Sequence, residues 1–375
     1  MPNHVMNRIF FDCDAERAKE IMSAVMYDPS PDDEDGTGYG TLDFNKLIPM
    51  PHALMIEAGS STEQGIEIYL TAVNPDTPDY DLPKMPKDKF EKLLRDLNGE
   101  RRFTTYKGSL SEEEIQRYTK YSSFGKLADT GKQAINNLVN YGATTWYDWC
   151  INNWGTKWNS YDPWKGEENG LIFSTAWSAP HPVMDALAKK YPDVSFTHEW
   201  ADEDIGHNCG RCEFENGECV YDWEPSSHKE ALEFATSVWG DTPEDYGLAL
   251  NADGSDYIEI NYEKYDLIEL FGKPALFTGE RLSKAKIPEG LYVCHVRGDD
   301  ETTGGFAELA PRVLVNHFGS IITKEPIDFG KEGFIPFTEE TEPNFTGQSI
   351  SMRDFIDGRF SMDPVQNQNG GISLS

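Results

Sequence analysis

The sequence predicts an α+β chain in two parts: a mixed sandwich carrying a helical insertion, then a small β-rich domain. Three observations lead there. Apolar residues recur at helical spacing in several segments bounded by capping residues, with short apolar or alternating runs between them. After Phe271 the pattern shifts to short strands separated by glycines and polar turns. Between Thr144 and Trp177 lie Trp146, Trp149, Trp154, Trp158, Trp164 and Trp177, six of the nine tryptophans, in what reads as a helix, a turn and a strand.

Taken in order, residues 4–13 read as a first strand. Asp14 is placed to cap a helix to about Met26, with Ala18, Ile21, Met22 and Val25 on one face. Residues 28–36 form an acidic loop, in which Pro31 stands where the first ligand of a calcium loop would be. Residues 41–51 read as a second strand ended by prolines. An insertion is expected over 53–143. Pro78, Pro83 and Pro86 break its first half, and helical pieces follow at 87–97, 111–121 and 131–141. Ser111 and Glu114 make a capping box.

In the tryptophan-rich stretch, Trp146, Trp149, Cys150, Asn153 and Trp154 share one helix face. Thr144 or Thr145 caps that helix, Gly155 ends it, and Gly170 starts a buried strand. Large rings dominate burial, so Trp146, Trp149, Trp154, Trp158 and Trp177 are expected in the core. A helix over 182–191 follows, then a strand over 194–200 and a hairpin turned at 215–218. Ser227 caps a helix with Leu232, Ala235, Val238 and Trp239 as its stripe. Strands are expected at 275–277, 291–296, 313–315 and 321–323, the last two as a hairpin, with a loose tail over 358–375. The domain boundary is expected between 269 and 270, giving domains 1–269 and 270–357.

The chain has 375 residues and a net charge of −32, from 65 acids against 33 bases. Such a surface repels nucleic acid and anionic membrane, and attracts basic surfaces such as DNA-binding clefts. The only basic-rich stretch, 84–102, is nearly cancelled by Asp88, Glu91, Asp96 and Glu100, so no direct nucleic-acid binding is expected. The first residues lack a secretory pattern and no apolar run reaches the roughly 18 residues of a membrane helix. Half of the six cysteines are scattered in expected strands or helices, which suits a reduced intracellular protein.

Three clusters carry candidate chemistry. His207, Cys209, Cys212 and Cys219 have partial zinc spacing, against which stand the missing second knuckle and the reading as ordinary thiols. Lys157, Asp202 and Asp204 are the candidate catalytic groups. The two aspartates would share a strand face, although no nucleophile–base pair is visible. The third cluster is an acidic segment, with Asp241, Glu244, Asp245, Asp253, Asp256, Glu259 and Glu263 as binding candidates beside Tyr257 and Tyr262. There is no phosphate loop, dinucleotide fingerprint or serine elbow, and no cofactor is read from the sequence.

Several motifs run in order over about residues 1–250. They are Pro2-Asn-His-Val, Asp43-Phe-Asn-Lys-Leu-Ile-Pro-Met-Pro, Trp149-Cys-Ile-Asn-Asn-Trp-Gly-Thr-Lys-Trp-Asn, Ala176-Trp-Ser-Ala-Pro and Ala201-Asp-Glu-Asp-Ile-Gly. In these the chain resembles the YubB-like family of phages and conjugative plasmids, which implies a ferredoxin-like sandwich. The element order agrees with a βαββαβ pattern elaborated by an insertion. The segment from Phe271-Gly-Lys-Pro to Arg353-Asp-Phe, with Pro311-Arg-Val and Val315-Asn-His-Phe-Gly, resembles a small domain associated with large polyvalent proteins of mobile elements. The resemblance carries over no catalytic residue. It implies the context of a mobile element that must survive host defences. With the charge of −32, that context leads to the expectation of an accessory protein in the host bacterial cytoplasm that counters a defence system by binding a host protein, such as a nucleic-acid-binding defence complex, through acids placed where phosphates would sit. The alternatives are an enzyme acting on a nucleotide or modified base through Lys157 and Asp202/Asp204, and a plain interaction domain without mimicry.

Overall fold

The computed structural model describes residues 3–28, 41–99, 105–164, 169–260, 262–297, 312–314, 319–329, 331, 334–335 and 342–362. The chain divides into two compact units, Met1–Glu224 and Pro225–Ser375.

The first unit is ferredoxin-like. Its elements are β1 (His4–Asp12), α1 (Ala15–Val25), β2 (Tyr161–Trp164), β3 (Gly170–Ala176), β4 (Ser195–Asp202), β5 (Gly210–Glu215) and β6 (Glu218–Trp223). The sheet runs β2-β3-β1-β4-β5-β6, every neighbour antiparallel. β1 is central, with Asn7 opposite Phe173 on one side and Trp200 on the other. The βαββαβ core is thus β1-α1-β2-β3-helix-β4, extended at one edge by the β5–β6 hairpin. That hairpin turns at Asn216 and Gly217, both at positive φ (52° and 86°), as a two-residue turn between right-twisted strands requires.

Side chains alternate across the sheet, and one face is apolar. Val5, Ile9, Phe11, Leu171, Phe173, Phe196 and Phe214 pack there against Ala18, Ile21 and Val25 of α1. Full burial of an aliphatic or phenyl side chain stabilises by about 1.5–3 kcal/mol, so this layer dominates the unit. Asp14 caps α1 through a bond from the Arg17 N–H.

Residues 41–51 do not form the expected strand. They make short 3-10 turns at Phe44–Lys46 and His52–Leu54, with one bridge between Met26 and Leu42. The Asp43 carboxylate caps the Asn45 N–H, and Pro49 and Pro51 cannot donate to a ladder. Leu42, Phe44 and Leu54 are still fully buried, so the apolar pattern was right and its geometry was not.

The insertion holds α2 (Ser60–Val73), α3 (Lys87–Gly99), α4 (Glu112–Tyr118) and α5 (Phe124–Tyr141). α2 was not expected, because its second half is buried nearly all round, Glu67 and Thr71 included, so burial follows no apolar stripe. It crosses α5 at Gly65 and Gly131. A Cβ on Gly131 would lie 2.0 Å from Gly65 O, so backbones meet where side chains would not fit. Asn137 on α5 donates from Nδ2 to Ala53 O (2.8 Å) and Thr144 O (3.1 Å), tying the two ends of the insertion together.

After the insertion come α6 (Trp146–Trp154) and, between β3 and β4, α7 (His181–Lys190). α6 is capped by Thr145 and stopped by Gly155 at φ 79°. A Cβ at Gly155 would meet Pro182 Cδ at 2.8 Å. Trp149 and Trp154 join the core, together with Val183, Met184 and Leu187 of α7.

The second unit contains α8 (His228–Trp239), the β7–β8 hairpin (Leu248–Leu250, Tyr257–Glu259), β9 (Lys264–Leu270), β10 (Lys273–Thr278), β11 (Tyr292–Arg297), β12 (Arg312–Leu314), β13 (Gly319–Thr323), β14 (Phe334–Ile335), β15 (Asn344–Ser351) and α9 (Met352–Asp357). Its seven-stranded sheet runs β14-β12-β11-β13-β10-β9-β15. The expected hairpin of 313–315 with 321–323 is not formed: β12 pairs parallel with β11, and β13 sits between β11 and β10.

The boundary lies at 224/225 rather than 269/270. Ala252 N–H donates to Lys284 O and Ile287 O, Glu289 N–H to Leu250 O, and Asn251 Nδ2 to Ala285 O. Tyr257 OH bonds Glu233 of α8 at 3.1 Å. These bonds attach the acidic segment and α8 to the β-rich unit. Most of the acidic loop at 28–36, the turn at 316–318 and the tail beyond 362 lie outside the described residues.

Candidate functional site

Beyond Gly155 the chain leaves the helix but stays pinned to the sheet. Thr156 Oγ1 donates to Ala176 O at 2.7 Å and accepts from Ala176 N–H at 3.2 Å. This places Lys157 and Trp158 beside Trp177, which follows β3. Trp177 has φ 72°, a left-handed backbone that is rare for a bulky residue and costs on the order of 1–3 kcal/mol. It is held there by its N–H bond to Asn3 O (2.9 Å) and by Asn208 Nδ2 donating to its carbonyl (3.1 Å). The turn carries the indole out of the core direction.

The expectation that all five tryptophans are core therefore needs correcting. Trp149 and Trp154 are buried and Trp146 is partly buried, while Trp158 is 37% and Trp177 42% exposed. The Lys157 ammonium lies 4.4 Å from the Trp158 ring centroid, 4.7 Å from Trp177 and 5.7 Å from Tyr147. Trp177 meets Tyr147 edge-on, and Trp158 meets Tyr161 likewise. Tyr161 OH donates to Thr175 O (3.1 Å) and lies 2.9 Å from His4 Nδ1. Burial, then Asp162 and Glu203, push its phenol up to about 12, so it stays a neutral donor. Tyr147, Asn3 and Asn208 were not singled out from sequence. The Gly155 stop was the one signal that Trp158 lies beyond the helix.

Asp202 and Asp204 do not share a strand face. β4 ends at Asp202, and Asp204 lies in the following turn. Asp202 is buried and accepts from Asn3 Nδ2 (3.0 Å), Asp204 N–H (2.9 Å) and Asn208 Nδ2 (3.3 Å). It organises the loop that also holds Trp177, and Asp204 is exposed.

The cysteine cluster does not converge. Among the described residues no three His, Cys, Asp or Glu side chains come together as metal ligands. Cys212 faces the core beside Phe214, and its Sγ lies 3.3 Å from Asp222 Oδ1. Burial, then Asp222 and Cys219, push its thiol up. Burial pushes Cys209 up to about 11, and His207 is exposed in the loop before it.

In the second unit the acidic segment is surface, and its carboxylates divide into two kinds. Several do local work: Asp241 accepts from Tyr246 OH, Asp245 caps Thr242, Asp253 accepts from Ser255, Asp256 faces His228 at 3.0 Å, and Glu263 accepts from Tyr265 OH. The N–H and O–H bonds to Asp245 and Asp253 lower their pKa, so both stay ionised. Glu244 and Glu259 are exposed, and no hydrogen bond or ion pair engages their carboxylates among the described residues. Tyr246 (39%) and Tyr262 (80%) are exposed and Tyr257 is half-buried, while Tyr265 is core. An open cavity of about 200 Å³ lies here, lined by Ile258, Glu259, Ile260, Glu263, Tyr265, Lys286 and Met352.

Two family models match the chain. Residues 153–241 match the ferredoxin-like domain in Api92-like protein, and residues 261–357 match large polyvalent protein associated domain 28. The first match covers β2 to β6 and reaches through α8. A crystal structure of the protein api92 from Yersinia pseudotuberculosis is similar at 10% identity and a TM-score of 0.27, covering 60% of this chain and 99% of that one. No curated protein matches. Among the described residues no helix is long and apolar enough to cross a membrane.

Proposed function

We propose that this is a mobile-element accessory protein that binds a basic host protein through the acidic face of its second unit. The observation that carries the reading is the exposed acidic segment, whose Glu259 and Glu263 border a cavity lined also by Ile258, Ile260, Met352, Tyr265 and the chain's own Lys286. A lysine or arginine of a partner fits such a place, with its stem on the apolar lining and its cation at the carboxylates. Exposed Tyr246 and Tyr262 add contact area at little ordering cost. The net charge of −32 supplies the long-range field. The polyvalent-protein-associated match and the YubB-like motifs support the mobile-element context. A nucleic-acid-binding defence complex in the host cytoplasm is the partner this chemistry suits, with carboxylates standing in for phosphates.

The test is capture of host proteins from bacterial lysate, with mass spectrometry, by the parent and by a Glu244→Gln/Glu259→Gln/Tyr262→Ala variant. Binding should weaken in the variant, and its fall above about 0.15 M salt, where the screening length is about 8 Å, should flatten. Capture of the same partner at equal strength by both proteins would sink the reading.

A further inference from the structure

We propose that Tyr147, Lys157, Trp158 and Trp177 form a binding site for a single nucleotide, with the base stacked on an exposed indole and the phosphate at the Lys157 ammonium. The site lies in the first unit and does not depend on the acidic face of the second. Three observations converge on it.

The first is the state of Lys157. The chain holds 65 acids, yet among the described residues no carboxylate and no hydrogen-bond acceptor engages this ammonium. Its neighbours are ring faces at 4.4 and 4.7 Å. Ring quadrupoles stabilise the cation but leave its three N–H donors open to an anion.

The second is the exposure of the indoles beside it, 37% and 42%, where Trp149 and Trp154 of the same stretch are buried. Base-on-aromatic stacking is the contact such surfaces make with any planar ring. Both indoles are braced, Trp158 by Tyr161 and Trp177 by Tyr147. A fixed ring loses little freedom on stacking, which favours binding.

The third is the backbone. Trp177 is one of five non-glycine residues at positive φ among the described residues. Asn3, Asn208 and, through Asn208, buried Asp202 all serve to hold it there. A buried carboxylate network that maintains an unfavourable turn, and so delivers one indole to the surface beside an unpaired lysine, has the form of a built site.

Charge limits the ligand. Asp162 and Glu203 act on Tyr161, which braces Trp158, and Asp202 accepts from Asn3, Asn208 and the Asp204 amide. With a net charge of −32 the chain repels an extended polyanion. One phosphate at one lysine escapes most of that cost. The occupant is therefore a mononucleotide rather than a strand.

The test is tryptophan-fluorescence titration of the full chain with adenosine 5′-monophosphate, adenosine, inorganic phosphate and a ten-residue oligodeoxyadenylate. The monophosphate should quench emission saturably and bind about tenfold more tightly than adenosine or phosphate. Lys157→Gln should remove that tenfold advantage, so that the monophosphate and adenosine bind the variant about equally. Trp158→Leu should weaken the monophosphate and adenosine alike. Near-ultraviolet circular dichroism checks that each variant is folded, and Lys157→Gln, a change at a half-buried side chain outside the core, keeps the test alive if the tryptophan variant is not. No saturable quenching up to about 10 mM, or equal affinities in parent and Lys157→Gln, would overturn the site. Tighter binding of the oligonucleotide than of the monophosphate, lost as salt rises, would overturn the mononucleotide assignment in favour of a strand.

Discussion

His198 Nε2 lies 3.0 Å from Asn7 Oδ1 in the middle of the first unit's sheet, and both side chains are fully buried. Asn7 spends its Nδ2 hydrogens on Val5 O and Thr175 Oγ1, both at 2.9 Å. Its oxygen must therefore accept, which places the imidazole proton on Nε2. Among the described residues His198 Nδ1 has no partner, so a second N–H there would find no acceptor. Burial, with the nearby His181, lowers its pKa to about 3.

That pair makes the first unit acid-sensitive. The folded pKa lies below the unfolded value near 6.5, so the unfolded chain takes up the proton first. Stability is complete above about pH 6.5 and is lost toward pH 3, at about 1.4 kcal/mol per pH unit. Gln can still donate to Asn7 and cannot titrate. Thermal melts between about pH 7 and 5 should therefore fall less steeply in His198→Gln than in the parent, and parallel slopes would count against this role.

Glu67 gives a dependence of opposite sign. It is buried on α2 and accepts from the backbone N–H groups of Lys107 (2.9 Å) and Gly108 (3.0 Å). Burial raises its pKa and those bonds lower it, with burial the stronger. The folded state thus holds the proton more tightly. The contribution is complete below the unfolded value near 4.5 and is lost as pH rises through the folded pKa. Relative to Glu67→Gln, the parent should lose stability as pH rises from about 4.5 toward neutrality. A parent-minus-variant melting difference that does not change with pH would refute this.

Trp154 anchors the core. It is 2% exposed, donates from Nε1 to Ile48 O at 2.9 Å, and meets Phe44 and Trp149 edge-on, both at 5.6 Å. Trp154→Ala should cost about 3–5 kcal/mol by denaturant titration, as large aromatic deletions in cores do. Trp158→Ala should cost much less, because its ring borders solvent. Equal losses at the two positions would contradict the division between core and surface rings.

Limited proteolysis should cut near Glu224–Pro225 and leave two fragments that each melt cooperatively. A chain ending at 269 should instead leave the second unit unstable. It separates most of β9 from β10, where Glu269 pairs with Pro274 and Ile268 with Ala275, and from β15 on its other side. A stable 270–375 fragment would argue for the later boundary.

Much of the fold was legible because it rests on local signals. Asp14, Ser227 and Gly155 marked helix ends where the structure has them. Asn216-Gly217 marked the hairpin. What failed depended on distant contacts. α2 lacks a polar face because other helices of the insertion cover it, so its period is blurred. The segment 41–51 buries strand-like residues without a strand partner. The boundary was misplaced because acidity suggested a linker, whereas backbone bonds from residues 250–252 to 284–289 join it to the second unit. At the tryptophan cluster, residue type indicated burial. The exposure of Trp158 and Trp177 follows from one helix stop and one left-handed turn, and neither shows in an apolar pattern.

The amide of Asn137 has a consequence for how this chain can change length. Because one side chain spans both Ala53 O and Thr144 O, the sandwich meets the four-helix insertion as a closed loop with adjacent ends. Most of the insertion's apolar residues form clusters of their own, apart from the sandwich core. Closing a long loop costs only slowly more as it grows. Helices can therefore be added to or taken from this loop, so long as its neck is kept, while the register between β1 and β3 stays as it is. The sandwich behaves as a fixed chassis, and the neck at residues 53 and 144 is the port through which new modules can be fitted to it.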